Sequence, residues 1–525
     1  MRGAGLPRRS DPGVRPPAVL HARRLGIDTS GEHVAYLRAD CAVCRSEGFG
    51  TRARIALRCG ARDLVATVNV VLSALLEEGE VGLSETAWAA LGVLPGQAVE
   101  LAHADSPHSL AAVRAKLLGA RLGAQAAAAI VGDICAGRYA DIDTAAFIAA
   151  CAGRRMDLAE ATGLTRAMSA AGQQLHWNRP VVVDKHCVGG LPGNRTTLLV
   201  VPIVAACGLL IPKTSSRAIT SPAGSADVME TLAPVALDLA MMKAVVEREG
   251  GCIAWGGAVS LSPADDRLIR VERPLGLDSE GLLVASVLSK KIAAGASHVL
   301  IDIPVGPTAK VRSAQAAARL AARLAGVGAA LGLSVATLAS DGAQPVGRGI
   351  GPALEARDVL AVLQGDPAAP ADLRQRALLL AAMVLEMGGK AGPGQGLALA
   401  ESVLAGGAAW RKFQAICAAQ GGMRTPPQAR YTEVLAAAHG GRVLAIDNGR
   451  VAQLAKLAGA PAAPAAGLEL HVRLGSAVDA GQALLTVHAE SPGELAYAIA
   501  YAQSQAQLVR IGRPGSPGAG RSARI

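Results

Sequence analysis

The sequence predicts a multidomain α/β and α+β protein: an N-terminal β-rich domain, a helical domain, a central α/β domain with a mostly parallel sheet, and a C-terminal β-rich α+β domain. Three observations predict it. The chain has 525 residues, more than one hydrophobic core supports. Its apolar period changes along the chain, from about two, to 3.6, to an alternation of both, and back to two. Between residues 180 and 400, short apolar runs ending in Gly or a charged residue alternate with helical patterns, which is how parallel sheets are built from strand–helix units.

Residues 1–24 are rich in Arg, Pro and Gly and read as a disordered basic tail. Residues 25–103 hold the β-type runs HVAYLRAD, RARIALRC and DLVATVNVV, then a turn and a strand in LGVLPGQAVEL. Residues 104–178 turn helical: SPHSLAAVRAKLLG carries a cap and an early Pro, and AQAAAAIVGDICAGR, DIDTAAFIAACAG and MDLAEATGLTRAMSAAG follow. Residues 179–424 form the α/β segment, with strands in PVVVDKH, GCIAWGG and SHVLIDIPVG. Residues 425–508 return to β, where GGRVLAIDNGRVAQLAKLAGA and LELHVRLGSAVDAGQALLTVHAES read as strands around a flexible PAAPAAG loop. Residues 509–525 read as a second disordered tail.

Charge and composition exclude several functions. The formal charge is +10, but nine of those charges sit in residues 1–24 and 510–525, so the body is nearly neutral. A nucleic-acid binder would carry a basic face on its folded part and aromatics for stacking, and aromatics are only 2% here. The longest uncharged run, Thr196–Pro212, is broken by Pro202 and Gly208 and is shorter than a membrane span, so it reads as a buried helix. No secretory signal is visible, and nine scattered cysteines suit a reducing cytoplasm. Cys41 and Cys44 form a lone CxxC that would have to borrow further ligands to hold zinc, so no metal site is expected.

Chemistry concentrates in three stretches. In DKHCVGGLPGNRTT, a Walker loop would need Gly-Lys-Ser/Thr where Asn194-Arg195-Thr196 stands, and the lysine, Lys185, precedes the glycines. Glycines 189, 190 and 193, the start of an apolar helix at Thr196 and Thr197, and Lys185 just past a strand end are the parts of an anion site. An ordinary Gly-rich turn fits the same residues. KTSSRAITSPAGSAD gathers hydroxyls around Arg217, with no acid before Asp227, and suits an oxyanion or a solvated loop. In the third stretch a helix from Asp278 onward puts Ser286 and Lys290 on one face. Lys290 and Lys291 also fit plain surface charges, and Asp278 fits an N-cap or a proton donor.

With DKHCVGG, IPKTSSRAITSPAGSAD, LSPADDR, ASVLSKKIAAG, SDGAQPVGRGIGPALEARDVL and AAQGG in this order, the chain resembles the thymidine/pyrimidine-nucleoside phosphorylase family over residues 106–505. The N-terminal β domain, GLPGNRTT and SSRAITSPAG are closer to its long, type 2 branch, which also contains AMP phosphorylases. The resemblance implies a cytoplasmic enzyme that cleaves a nucleoside with inorganic phosphate as co-substrate and no cofactor, a dimer or larger homo-oligomer, and no nucleic-acid or membrane partner. It implies phosphate ligands at Lys185, Cys187, Thr197, Ser215 and Ser225, and His186 beside the base or sugar. Ser286 and Lys290 would read the base, with Lys290 able to steady its anion. Gly190, Ser216, Arg217, Ala218, Ile219, Thr220, Ser221, Ser225, Ser286 and Lys310 would line a nucleotide site, with Asp278 as proton donor. Thymidine phosphorolysis is the expected reaction, with AMP phosphorolysis as the alternative; Arg217 and Lys310 would then suit a 5′-phosphate. Two departures stand out: Cys187 replaces a family serine, and the base-binding Arg has no ungapped equivalent, leaving Arg270 or Arg273 as substitutes.

Overall fold

A computed structural model describes residues 18–218, 221–277, 279–505 and 508–512. It separates into two compact units, residues 1–150 and 151–525. Among the described residues no helix is long and apolar enough to cross a membrane.

The first unit opens with a closed six-stranded barrel. Its strands are β1 (Ala18–Arg24), β2 (Val34–Arg38), β3 (Arg54–Cys59), β4 (Arg62–Val71), β5 (Glu80–Leu83) and β6 (Ala98–His103), in the spatial order β1-β5-β2-β4-β3-β6. Short helices α1 (Ala42–Glu47) and α2 (Glu85–Leu91) lie between them. β1 corrects the expected N-terminal tail. Leu20 and Ala22 alternate into the barrel core, while Arg23 pairs with Glu80 at 2.9 Å and Arg24 with Glu85 at 2.5 Å. Two arginines that read as tail are the ion-paired last residues of a strand; residues 1–17 lie outside the described residues. Helices α3 (Leu110–Leu117), α4 (Ala124–Cys135) and α5 (Asp141–Cys151) follow.

The second unit begins with α6 (Leu158–Ala170), whose Asp157–Glu160 capping box fixes its start. The sheet strands are β7 (Val183–Cys187), β8 (Ile211–Ser215), β9 (Gly251–Trp255), β10 (His298–Val305) and β11 (Ser334–Asp341). Pairing is parallel in β11-β10-β7 and in β8-β9, and a Val182–Leu210 bridge joins the two sets. The parallel sheet is therefore as expected. One strand end is not: Lys185, expected just past a strand, is the middle residue of β7, which runs on to Cys187, and Lys213–Ser215 are the last residues of β8. Polar side chains reach into the core there because partners await them.

The helices of this unit are α7 (Thr197–Ala206), α8 (Ser225–Glu230), α9 (Leu239–Glu249), α10 (Pro263–Leu275), α11 (Glu280–Ala293), α12 (Ala314–Ala330), α13 (Pro352–Leu363), α14 (Ala371–Met387), α15 (Gly396–Ala405) and α16 (Ala408–Ala419). α7, the apolar run noted in the sequence, is buried from Thr197 to Ala205 and sits in one core with Leu300, Val359, Leu378 and Phe413. The N-cap of α11 is Ser279, whose hydroxyl accepts from the Leu282 amide. α6 contributes Ala161 to a core with Val284, Leu288 and Leu324 of α11 and α12.

The C-terminal part holds β12 (Gly349–Ile350), β13 (Tyr431–Ala436), β14 (Gly441–Ile446), α17 (Asn448–Leu457), β15 (Gly467–Leu470), β16 (Ala477–Val478), β17 (Ala483–Ala489), α18 (Pro492–Ser504) and β18 (Val509–Gly512). They build a β12-β15-β17-β13 sheet and a β16-β14-β18 sheet. Two expectations are corrected. NGRVAQLAKL is helix α17 and not a strand: Asp447 caps the Arg450 amide, and Val451, Leu454 and Ala455 share a buried face. Residues 509–512 pair with β14 instead of starting a tail, and residues 513–525 lie outside the described residues. Buried Asn448 donates to the Thr308 hydroxyl at 3.0 Å and the Gly342 carbonyl at 2.9 Å, tying α17 to the loops after β10 and β11.

Candidate active site

The site lies at the carboxyl ends of the parallel strands, where such sheets bind ligands. β7 delivers Lys185, His186 and Cys187 in succession. The loop that follows needs its glycines. Gly190 and Gly193 have φ of +80° and +71°, and an added Cβ would sit 2.6 Å from the Lys310 amide nitrogen or 2.0 Å from the Val346 carbonyl oxygen. The loop thus brings Lys310 against Gly190, and ends in Thr196 as N-cap of α7. Lys185 is 1% exposed, and its Nζ donates to Thr196 Oγ1 at 2.6 Å. Burial lowers its pKa, although Cys187 and Asp302 draw it back up.

Lysines surround His186. Burial first, then the charges of Lys291, Lys213, Lys290 and Lys185, push its imidazole well below the usual 6.5, so it is neutral at pH 7. Two of those lysines are anchored from beneath: Asp184, fully buried, lies 2.6 Å from Lys291 Nζ and 3.5 Å from Lys213 Nζ. Burial also takes Lys213 well below its ordinary pKa. Lys290 donates to buried Asp265 at 2.6 Å and lies 3.4 Å from Ser286 Oγ, so the expected pair on α11 is in place.

The expected phosphate ligands lie at element ends. Thr197 starts α7, Ser215 ends β8 and Ser225 starts α8. Ser215 Oγ is buried and has no hydrogen-bond partner among the described residues. Ser225 Oγ accepts from Arg195 Nη1 at 3.1 Å. Cys187 is half-buried, burial pushes its thiol up to about 11, and its Sγ accepts from Asn194 Nδ2 at 3.3 Å. The same Asn194 amide reaches Asp302 at 3.2 Å, and Asp302 accepts from Ser340 at 2.5 Å.

The second loop is held internally. Arg217 pairs with Asp227 at 3.2 Å and with Glu230 at 2.5 Å, and lies over the Trp255 ring. The two carboxylates offset its charge in this structure. Asp227 also accepts from the Ala218 and Gly224 amides, and Ser221 Oγ donates to the Ala223 carbonyl. Ser216 is exposed at the start of this loop. Lys310 is exposed beside the glycine loop. Arg270 and Arg273 both lie on α10. Asp278, Ile219 and Thr220 lie outside the described residues.

Known proteins share these sequence segments. Residues 110–172 match the glycosyl transferase family helical bundle domain, residues 179–410 its a/b domain, and residues 443–508 the pyrimidine nucleoside phosphorylase C-terminal domain. Over 94% of its length the chain is 63% identical to "Putative thymidine phosphorylase 2" of Acidovorax sp. (strain JS42), covering 96% of that protein. The chain belongs to the thymidine/pyrimidine-nucleoside phosphorylase family. A Polaromonas sp. (strain JS666) relative, named as a thymidine phosphorylase in the same wording, is 61% identical over 94% of this chain and 97% of its own. Among solved structures, anthranilate phosphoribosyltransferase from Thermus thermophilus aligns with a TM-score of 0.51 at 22% identity, over 59% of this chain and 99% of that one; this likeness is one of fold alone. As a member of the phosphorylase family, the protein is a pentosyltransferase.

Several side chains tied into this cluster of the phosphorylase escaped the sequence reading. Lys291 fitted a surface charge, yet it is 1% exposed and paired with Asp184. Its helical register held the signal: it lies three residues after Leu288 and seven after Val284, both buried. Asn194, Arg195, Asp302 and Glu355 act through partners far away in sequence, for which no local pattern exists.

Proposed function

We propose that the protein is a thymidine phosphorylase, converting thymidine and phosphate to thymine and 2-deoxy-α-D-ribose 1-phosphate in pyrimidine nucleoside salvage. The observation that carries this reading is the surroundings of His186: the charges of Lys291, Lys213, Lys290 and Lys185 all act on its ring, and Ser215, whose hydroxyl has no hydrogen-bond partner among the described residues, ends the strand that carries Lys213. Such surroundings suit a multiply charged oxyanion. Phosphate held there by Lys185, Thr197, Ser215 and Ser225 attacks C1′ of the sugar as the base departs. Holding the two reactants together removes several kcal/mol from the barrier. The departing base gains negative charge, and Lys290, fixed by Asp265 beside Ser286, stands ready to steady it. A neutral His186 can hydrogen-bond substrate without adding charge. No cofactor is needed for this chemistry. The relatives' names favour thymidine, and so does the pairing of Arg217 with Asp227 and Glu230, which removes one cation from a nucleotide's 5′-phosphate.

One observation favours the second reading, AMP phosphorolysis: Lys310 is exposed beside the glycine loop, where it could meet a 5′-phosphate. Phosphate-dependent base release from thymidine, uridine and AMP, compared side by side, decides between them. Release from thymidine at the highest kcat/KM is expected; release from AMP alone would overturn the thymidine reading.

A further inference from the structure

Arg195 stands in the glycine loop one residue before the N-cap of α7, with a side chain only 8% exposed. Its guanidinium turns toward the second loop. Nε donates to Glu355 Oε2, Nη1 to Ser225 Oγ at 3.1 Å, and Nη2 to the Ala223 carbonyl at 2.8 Å. Glu355 is fully buried in the first turn of α13, and its other oxygen accepts from the Gly351 amide at 3.0 Å. Both ends of this ion pair are therefore fixed, and it ties the glycine loop, the start of α8 and the start of α13 together.

The consequence lies at Ser225. A serine hydroxyl has one hydrogen to donate and two lone pairs to accept with. Arg195 occupies an accepting lone pair, which leaves the hydrogen for another oxygen. We propose that Arg195, locked by Glu355, is a positioning residue that holds Ser225 as a hydrogen-bond donor to phosphate. Glu355 cancels the charge of Arg195, so the pair contributes orientation and not net attraction; the lysines supply the attraction. Lysine cannot replace this arginine, because the three acceptors are each met by a different guanidinium nitrogen, a spread that a single ammonium nitrogen does not span. The inference rests on the reading of this cradle as a phosphate site.

The test is a double-mutant cycle of Arg195→Lys and Ser225→Ala, read by the KM for phosphate, the KM for nucleoside and the melting temperature. Arg195→Lys is expected to raise the phosphate KM about tenfold, equivalent to about 1.4 kcal/mol, with the nucleoside KM within about twofold. In the Ser225→Ala background the same change should raise the phosphate KM less than about threefold. An undiminished effect in that background, or an equal rise in both KM values, overturns the proposal. If Arg195→Lys does not fold, Arg195→Gln/Glu355→Gln removes both charges together and is judged by the same criteria. Calorimetric titration with inorganic phosphate alone repeats the cycle without nucleoside. If no nucleoside is cleaved, the reaction reading fails, and the phosphate titrations still decide the role of Arg195; a wild-type protein that binds no phosphate overturns it.

Discussion

Asp184, on β7 directly before Lys185 and His186, forms a fully buried ion pair with Lys291 at 2.6 Å. Lys213 approaches the same carboxylate from β8, so one acid holds two lysines. Removing one partner from such a pair leaves a buried charge uncompensated, which costs about 3–5 kcal/mol. Asp184→Asn is therefore expected to lower unfolding free energy by about that amount, measured by urea denaturation. A loss below about 1 kcal/mol would mean that the lysines do not depend on Asp184.

His186 gives a pH dependence of definite sign. Its folded pKa lies well below 6.5, through burial and the lysines around it. The unfolded chain takes up a proton near pH 6.5, while the folded chain does so only at lower pH. Stability from this group is therefore full above pH 6.5 and falls as pH drops below it. His186→Gln is expected to flatten the wild-type decline between pH 6.5 and 5, measured by denaturation at each pH. An unchanged slope would count against a neutral His186.

Cys187 is a thiol pushed up to about 11, so about one molecule in a thousand is a thiolate at pH 8. Mass mapping after iodoacetamide treatment is expected to find Cys187 alkylated about 100-fold more slowly than a small free thiol. A hydroxyl is the better donor, and one improved hydrogen bond is worth about 0.5–1.5 kcal/mol. Cys187→Ser should thus lower the phosphate KM about threefold; a higher KM would show that the thiol does not face the anion.

Gly193→Ala would place a methyl group 2.0 Å from the Val346 carbonyl oxygen, at a φ of +71° that side chains avoid. The neighbour is backbone and cannot swing aside. A loss of about 2 kcal/mol or more is expected in thermal denaturation, together with weaker phosphate binding. Wild-type stability and phosphate KM in this variant would show that the loop tolerates a Cβ.

The sequence was informative wherever function is packed into contiguous residues. Lys185, His186, Cys187, Thr197, Ser215, Ser225, Ser286 and Lys290 all lie in three short stretches; the Val182–Leu210 bridge sets β7 beside β8, and Lys290 of α11 lies close enough to act on the His186 ring. What stayed hidden depends on long-range partners. The alternation of RARIALRC announces a strand, but barrel closure is a pairing of β1 with β6 that no local pattern encodes. Arg23 and Arg24 read as tail because Glu80 and Glu85 lie far along the chain. In DNGRVAQLAKL the β-branched and apolar residues suggested a strand, and the capping aspartate with buried Val451 and Leu454 decided for a helix.

Asn448 is a small residue with a large reach. By gripping Thr308 and the Gly342 carbonyl from the far end of the chain, it braces the turn that carries Lys310. A protein cut short after residue 424 would keep the whole lysine cradle and its carboxylate anchor, yet lose the buttress under that turn. The C-terminal domain thus serves as a brace for the turn beside the glycine loop, and a truncation would loosen that turn while leaving Lys185, Lys213, Lys290 and Lys291 on the elements that carry them.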